Sequence, residues 1–107
     1  MHVSGFDWDD GNWPKCARHG VSKAEIEAMF HGTPMVLPDR TGVGGETRLN
    51  AIGLTEAERH LFVVFTIQET GGVALIRPIS ARYMHQKEID HYERRTRSQA
   101  DPRVPDR

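Results

Sequence analysis

Apolar residues first alternate, then recur at helical spacing, then alternate again along this chain, and each change of period marks an element. VSGFDWDD opens as a short strand, with Phe6 and Trp8 on one face, before Asp9 and Asp10 turn the chain. NWPKCARHG reads as a short helix: Pro14 suits the first helical position and Gly20 the position just past the end. A second helix follows. Ser22 and Glu25 form an S-x-x-E capping box, in which each side chain satisfies a terminal backbone donor, and Val21 and Ile26 occupy the positions of a hydrophobic staple. Ile26, Met29 and Phe30 supply its buried stripe, with Lys23, Glu25 and Glu27 expected in water, and Gly32 and Pro34 stop it.

Period two then dominates. MVLP at 35–38 is a short strand, followed by the glycine-rich DRTGVGG loop. TRLNAIGL, HLFVVFTI and VALIRPISA read as three consecutive strands, and the short separators TEAER and QETGG favour antiparallel hairpins over helical crossovers. LFVVF is apolar on both faces and belongs at the centre of the sheet. Pro78 cannot donate to a ladder, so its strand lies at an edge or carries a bulge there. Met84 to about Arg95 forms the last helix, and TRSQADPRVPDR has no periodic apolar face. These elements predict an α+β fold: a small, curled, mainly antiparallel sheet packed on one face against two N-terminal helices and one C-terminal helix. A single domain is expected over 1–95, with a flexible polar tail over 96–107.

At 107 residues the chain has room for one core, and its 37% hydrophobic and 27% charged residues fit a soluble globular protein. A net charge of −1 gives no bulk attraction for nucleic acid, so any anion site must come from local clustering. Cys16 is the single cysteine, which excludes an intramolecular disulfide and suits a reducing cytoplasm. The longest apolar run, LFVVF, is strand-sized, so no membrane span is expected.

Candidate chemistry concentrates where the last strand passes into the last helix. Arg77 and Arg82 have anchored backbones there, and Tyr83, His85 and Glu88 follow within two helical turns. Guanidinium, phenol, imidazole and carboxylate together can handle a phosphate, although paired arginines also serve structure. Glu88 shares a helical stripe with Met84 and Tyr92 that faces the sheet, so it needs a cation, and Arg77 or Arg82 is the expected donor. Lys15, Arg18 and His19 form a second basic group. His19 either exchanges protons near neutrality or caps the short helix. Glu46 and Arg48 share one strand face, either as a surface ion pair or as a base beside a phosphate clamp.

Other chemistries are weakly represented. The six histidines form no i,i+4 pair and no Cys/His knuckle, so neither a metal nor another cofactor is expected. GVGGET lacks the ending of a phosphate-binding loop. Cys16 reads as a packing residue, and Trp8 and Trp13 as core aromatics rather than base-stacking platforms.

The ordered segments FDWDDGN…K…RHGVS, GGETRLNAIG and IRPISARYMHQKEIDHYE resemble the BrnT family of type II toxins over about residues 6–94. The basic-HGVS motif falls on Arg18 to Ser22, the E-x-R stretch on Glu46 and Arg48, and ISAR on Ile79 to Arg82. Where many members follow ISAR with an arginine-rich helix, this chain has YMHQKEIDHYE. The resemblance implies a relative of the RelE-type ribonuclease fold that cleaves RNA and inhibits translation in the cytoplasm. It implies neutralisation by a BrnA-like antitoxin with a DNA-binding domain, operator DNA being reached only through that partner.

A metal-independent mechanism would use the RNA's own 2′-hydroxyl as nucleophile. The catalytic candidates are His19 and Glu46 for proton transfer, Arg48 and Arg82 for the phosphate, and Tyr83 as a supporting donor. Lys15, Arg18, Arg77 and His85 are the substrate-binding candidates. Two rivals come from other classes: a non-enzymatic partner module serving antitoxin binding and operon autorepression, and an inhibitor of a protein target.

Overall fold

The computed structural model describes residues 3–38 and 48–100, without the side chains of residues 70 and 95–100. Glu46 and the whole DRTGVGG loop lie outside these. The elements run β1 (Gly5–Phe6), a 3-10 turn (Lys15–Ala17), α1 (Lys23–His31), β2 (Met35–Pro38), β3 (Leu49–Leu54), β4 (His60–Thr70), β5 (Val73–Tyr83) and α2 (Gln86–Ala100). The five strands form one sheet in the order β1-β5-β4-β3-β2, which puts the doubly apolar β4 at its centre as the pattern predicts. β2 to β5 are antiparallel neighbours, whereas β1 joins β5 in parallel, Gly5 opposite Leu75 and Phe6 opposite Ile76. The sheet is therefore mixed.

The expected pair of N-terminal helices is corrected to one. NWPKCARHG forms successive turns around a single 3-10 turn, and α1 is the lone N-terminal α-helix. Tertiary hydrogen bonding overrides the terminal signals. Asn12 is buried, its side-chain oxygen accepts from the Asp9 amide, and its amide group donates to the Asp7 and Pro78 carbonyls. Those bonds hold the segment against β5 in a shape a regular helix would not allow.

α1 conforms to its sequence signals. The Ser22 hydroxyl accepts from the Glu25 amide at 3.1 Å, and the Glu25 carboxylate accepts from the Ser22 amide at 3.0 Å. Ile26 and Met29 are buried against Ala51, Leu61, Val63 and Phe65 of the sheet, with Val21 and Cys16 closing the cluster. Phe30 meets Phe65 edge-on at 5.0 Å and Phe6 at 5.8 Å. Each large side chain so buried contributes about 1.5–3 kcal/mol. Gly53 allows this close approach, since a Cβ there would stand 2.7 Å from Met29 Cγ. The polar face of α1 is not left to water: Lys23 lies over the rings of Trp8 and Trp13, and Glu27 accepts from the Trp8 indole at 2.8 Å.

Gly71 and Gly72 both have positive φ, as the two-residue β4–β5 hairpin requires. Pro78 takes the bulge option rather than the edge. The register shifts there, Phe65 facing Pro78 and Val64 facing Ser80, so no β4 residue stands opposite Ile79. This extra residue reverses the alternation and places Arg77 and Arg82, otherwise on opposite faces, on the same one.

That face is turned away from α1 and is the one α2 covers. Met35, Leu37, Ile52 and Phe62 line a cleft there with Met84, His91 and Tyr92. The helices consequently lie on opposite faces of the sheet, not on one. α2 begins at Gln86 and continues to Ala100, later at both ends than its apolar pattern suggests.

Candidate functional site

Three charged clusters form around β5, and they divide the sequence-nominated residues between them. The first lies on the α2 face. Arg82 donates through both terminal nitrogens to the two oxygens of Glu88, each at 2.8 Å, and its guanidinium lies 4.8 Å from the Phe62 ring centroid. Glu88 also accepts from the His85 amide at 2.9 Å, so one carboxylate anchors an arginine and caps the first turn of α2. The Arg82 guanidinium, reinforced by that amide, holds the Glu88 carboxyl down at about 2. The cation that Glu88 needs is thus Arg82.

Arg77 belongs to a second cluster at the β1 end. It donates to Asp9 at 2.9 and 3.0 Å and to Asp7 at 3.3 Å, and the bond to Arg77 is the main cause that depresses the Asp9 carboxyl. Its tip does not converge with that of Arg82. Gly11 sits under this guanidinium, where a Cβ would come within 2.9 Å of a terminal nitrogen.

The third cluster lies on the α1 face and brings together residues that the sequence leaves far apart. Tyr83 is consecutive with Arg82 and so points to the opposite side of the sheet. Its phenol donates to both Glu25 oxygens at 2.8 Å. The Ser22 amide, with help from the phenol, lowers the Glu25 carboxyl below the usual carboxylate range, while burial and then Glu25 push the phenol up. Arg59 covers this pair, its guanidinium carbon 3.4 Å from the Tyr83 ring centroid. The β3–β4 turn delivers it: Thr55 and Arg59 bond through their main chains at 2.9 Å, and Glu58 takes a φ of 63° between them. Among the described residues the Arg59 guanidinium makes no close ion pair, in contrast to those of Arg77 and Arg82, and acts on the Glu25 carboxylate only through its charge.

The remaining candidates stay apart. Lys15, Arg18 and His19 are exposed around the 3-10 turn, which is too short to present His19 with a helix terminus. Arg48 immediately precedes β3, and its neighbour Glu46 is outside the described residues. No group of three or more His, Cys, Asp or Glu side chains among the described residues is arranged to hold a metal ion.

A family model described as the ribonuclease toxin, BrnT, of type II toxin–antitoxin systems matches residues 8–88 of the 107. The chain belongs to the BrnT family. Membership makes it a ribonuclease toxin of a type II module, with RNA as substrate and an antitoxin as partner. A search of the curated proteins returns no match. No helix among the described residues is long and apolar enough to cross a membrane.

The BrnT match takes in all three clusters except Asp7 and ends at Glu88, the residue that pins α2 to Arg82. Two members of the third cluster are absent from the sequence candidates. Glu25 reads from sequence only as half of a capping box, and Arg59 as a polar residue in a hairpin turn. Neither periodicity nor spacing signals that a helix start, a turn and a strand end meet in one place.

Proposed function

We propose that this BrnT-family toxin cleaves RNA by a metal-independent transesterification, arrests translation in the cytoplasm, and is neutralised by a BrnA-like antitoxin through which it reaches operator DNA. The observation that carries this reading is the family match over residues 8–88, which takes in every arginine-bearing segment of the sheet. The nucleophile is the RNA's own 2′-hydroxyl, and side chains supply the proton transfer and the positive charge for the phosphorane. Arg48 and Arg82 contact the RNA backbone. Arg82 already grips a planar carboxylate with its fork, and a phosphate presents the same pair of oxygens to it.

Incubating the purified chain with end-labelled RNA in the presence of EDTA tests this. The expected result is fragments ending in 2′,3′-cyclic phosphate. Intact RNA under all conditions would overturn it. The second reading, a non-catalytic antitoxin-binding module, draws on the carboxylates that already neutralise Arg77 and Arg82. Tight antitoxin binding without any RNA cleavage would establish that reading instead.

A further inference from the structure

We infer, building on the ribonuclease reading, that Glu25 is the base that activates the 2′-hydroxyl and Arg59 the cation that receives the scissile phosphate, with Tyr83 as the residue that positions both. Three features of the cluster carry this. Glu25 is oriented from two sides: Oε1 takes the Ser22 amide at 3.0 Å, while the phenol bridges both oxygens at 2.8 Å. Among the described residues Oε2 accepts only the phenol, which leaves it a lone pair for a substrate hydroxyl. A base held in this way satisfies the geometric requirement for proton transfer, which His19 does not, since no hydrogen bond orients it among the described residues.

Arg59 supplies the second feature. Its guanidinium carbon stands over the phenol ring, 3.4 Å from the centroid, and a guanidinium stacked on a ring face keeps its in-plane N–H donors for other partners. An exposed fork beside an oriented carboxylate is the complement of a ribose 2′-hydroxyl next to a phosphate. The third feature is space. A cleft of about 210 Å³ opens beside Glu25, between the small side chains of Ala24 and Ala28 on α1 and Thr55 to Ala57 on the turn. Glu56 also lines it and disfavours a second phosphate there, so a sugar edge rather than a phosphate occupies the recess.

The step balances without a cofactor. Glu25 removes the proton from the 2′-hydroxyl, and the oxygen forms a bond to the adjacent phosphorus. The bond from phosphorus to the 5′-oxygen breaks, and that oxygen takes a proton from solvent water. The products are a 2′,3′-cyclic phosphate and a 5′-hydroxyl, and Glu25 returns its proton to solvent. Tyr83 and Arg82 are consecutive, so an RNA strand crossing the end of β5 meets the reacting cluster on one face and Arg82 on the other.

Glu25→Gln is the discriminating variant, because a glutamine oxygen can still accept from the Ser22 amide and keep the cap of α1. Its kcat on labelled RNA should fall by about 10²–10⁴. Its affinity for an uncleavable RNA of the same sequence, carrying 2′-O-methyl groups, should stay within about threefold of wild type. Arg59→Ala should weaken that binding by about tenfold and flatten its salt dependence, with Arg59→Lys recovering part of the loss. Tyr83→Phe should lower kcat without changing KM. If the wild-type chain cleaves and folded Glu25→Gln cleaves equally well, the assignment is overturned while the ribonuclease reading stands. If Glu25→Gln does not fold, undiminished cleavage and binding by Arg59→Ala, altered only at an exposed side chain, overturns it equally. A wild-type chain that cleaves no RNA removes both readings together.

Discussion

Replacing Glu88 by glutamine tests the charge pair that fastens α2 to the sheet. The amide keeps the shape of the side chain and an oxygen for the His85 amide, so the first turn of the helix stays capped. What disappears is the charge opposite Arg82. Glu88 titrates at about 2 in the folded chain against an ordinary 4.5. Taken at full weight, a depression of that size corresponds to roughly 3 kcal/mol. Both side chains are about one-third exposed, Arg82 at 35% and Glu88 at 36%, and solvent screening brings the contribution down to about 1 kcal/mol.

A carboxyl lowered in the folded state stabilises above its unfolded value and loses that contribution as pH falls toward its folded value. The window therefore runs from about pH 4.5 down to about pH 2. Thermal melts followed by circular dichroism should place Glu88→Gln about 4–8 °C below wild type at pH 6. The gap should close as both proteins approach pH 2. Other lowered carboxyls, Glu25 and Asp9 among them, are present in both chains and cancel in the comparison. A gap that stays constant across pH, or none at pH 6, would refute the pairing.

Ser22→Ala removes the hydroxyl that accepts from the Glu25 amide and should cost about 0.5–2 kcal/mol, read from the denaturant midpoint. An unchanged midpoint would show that the cap contributes nothing to α1. Gly53→Ala forces a methyl group toward Met29 Cγ at 2.7 Å in a filled core, and should destabilise by about 1–3 kcal/mol. Combining it with Met29→Ala should give less than the sum of the two single effects, because the clash is then gone; full additivity would count against this packing.

What the sequence discloses about this fold is what depends on neighbouring residues. The capping box at Ser22, the two hairpins and the central place of β4 all follow from signals within a few positions. The turn segment around Cys16 is misread because its decisive bond joins Asn12 to the Pro78 carbonyl, a partner 66 residues away. The same limit hides the parallel pairing of β1 with β5, since nothing in a two-residue strand announces its partner. Pro78 leaves an edge or a bulge open and the fold takes the bulge, yet the spacing of Arg77 and Arg82 says neither that they share a face nor that separate carboxylates divide them. The candidate site is legible only in part. Tyr83 can be nominated from the strand-to-helix junction, but Glu25 and Arg59 reach it from α1 and the β3–β4 turn, and only the folded sheet brings these three together.

The parallel seam between β1 and β5 also sets a schedule for synthesis. Gly5 and Phe6 are made before α1, β2, β3 and β4, and their partners Leu75 and Ile76 emerge from the ribosome only after all of these. Until then Phe6 has no strand to lie against, and the Asp7 and Asp9 carboxylates wait for Arg77. β2, β3 and β4 pair with sequence neighbours and can assemble while the chain is still growing. Docking of the N-terminal edge, and with it the seat of the 3-10 turn on β5, must come late. A nascent chain halted before β5 would carry the whole of α1 but no Tyr83 to meet Glu25. Glu25, Arg59 and Tyr83 thus come together only after β5 has left the tunnel.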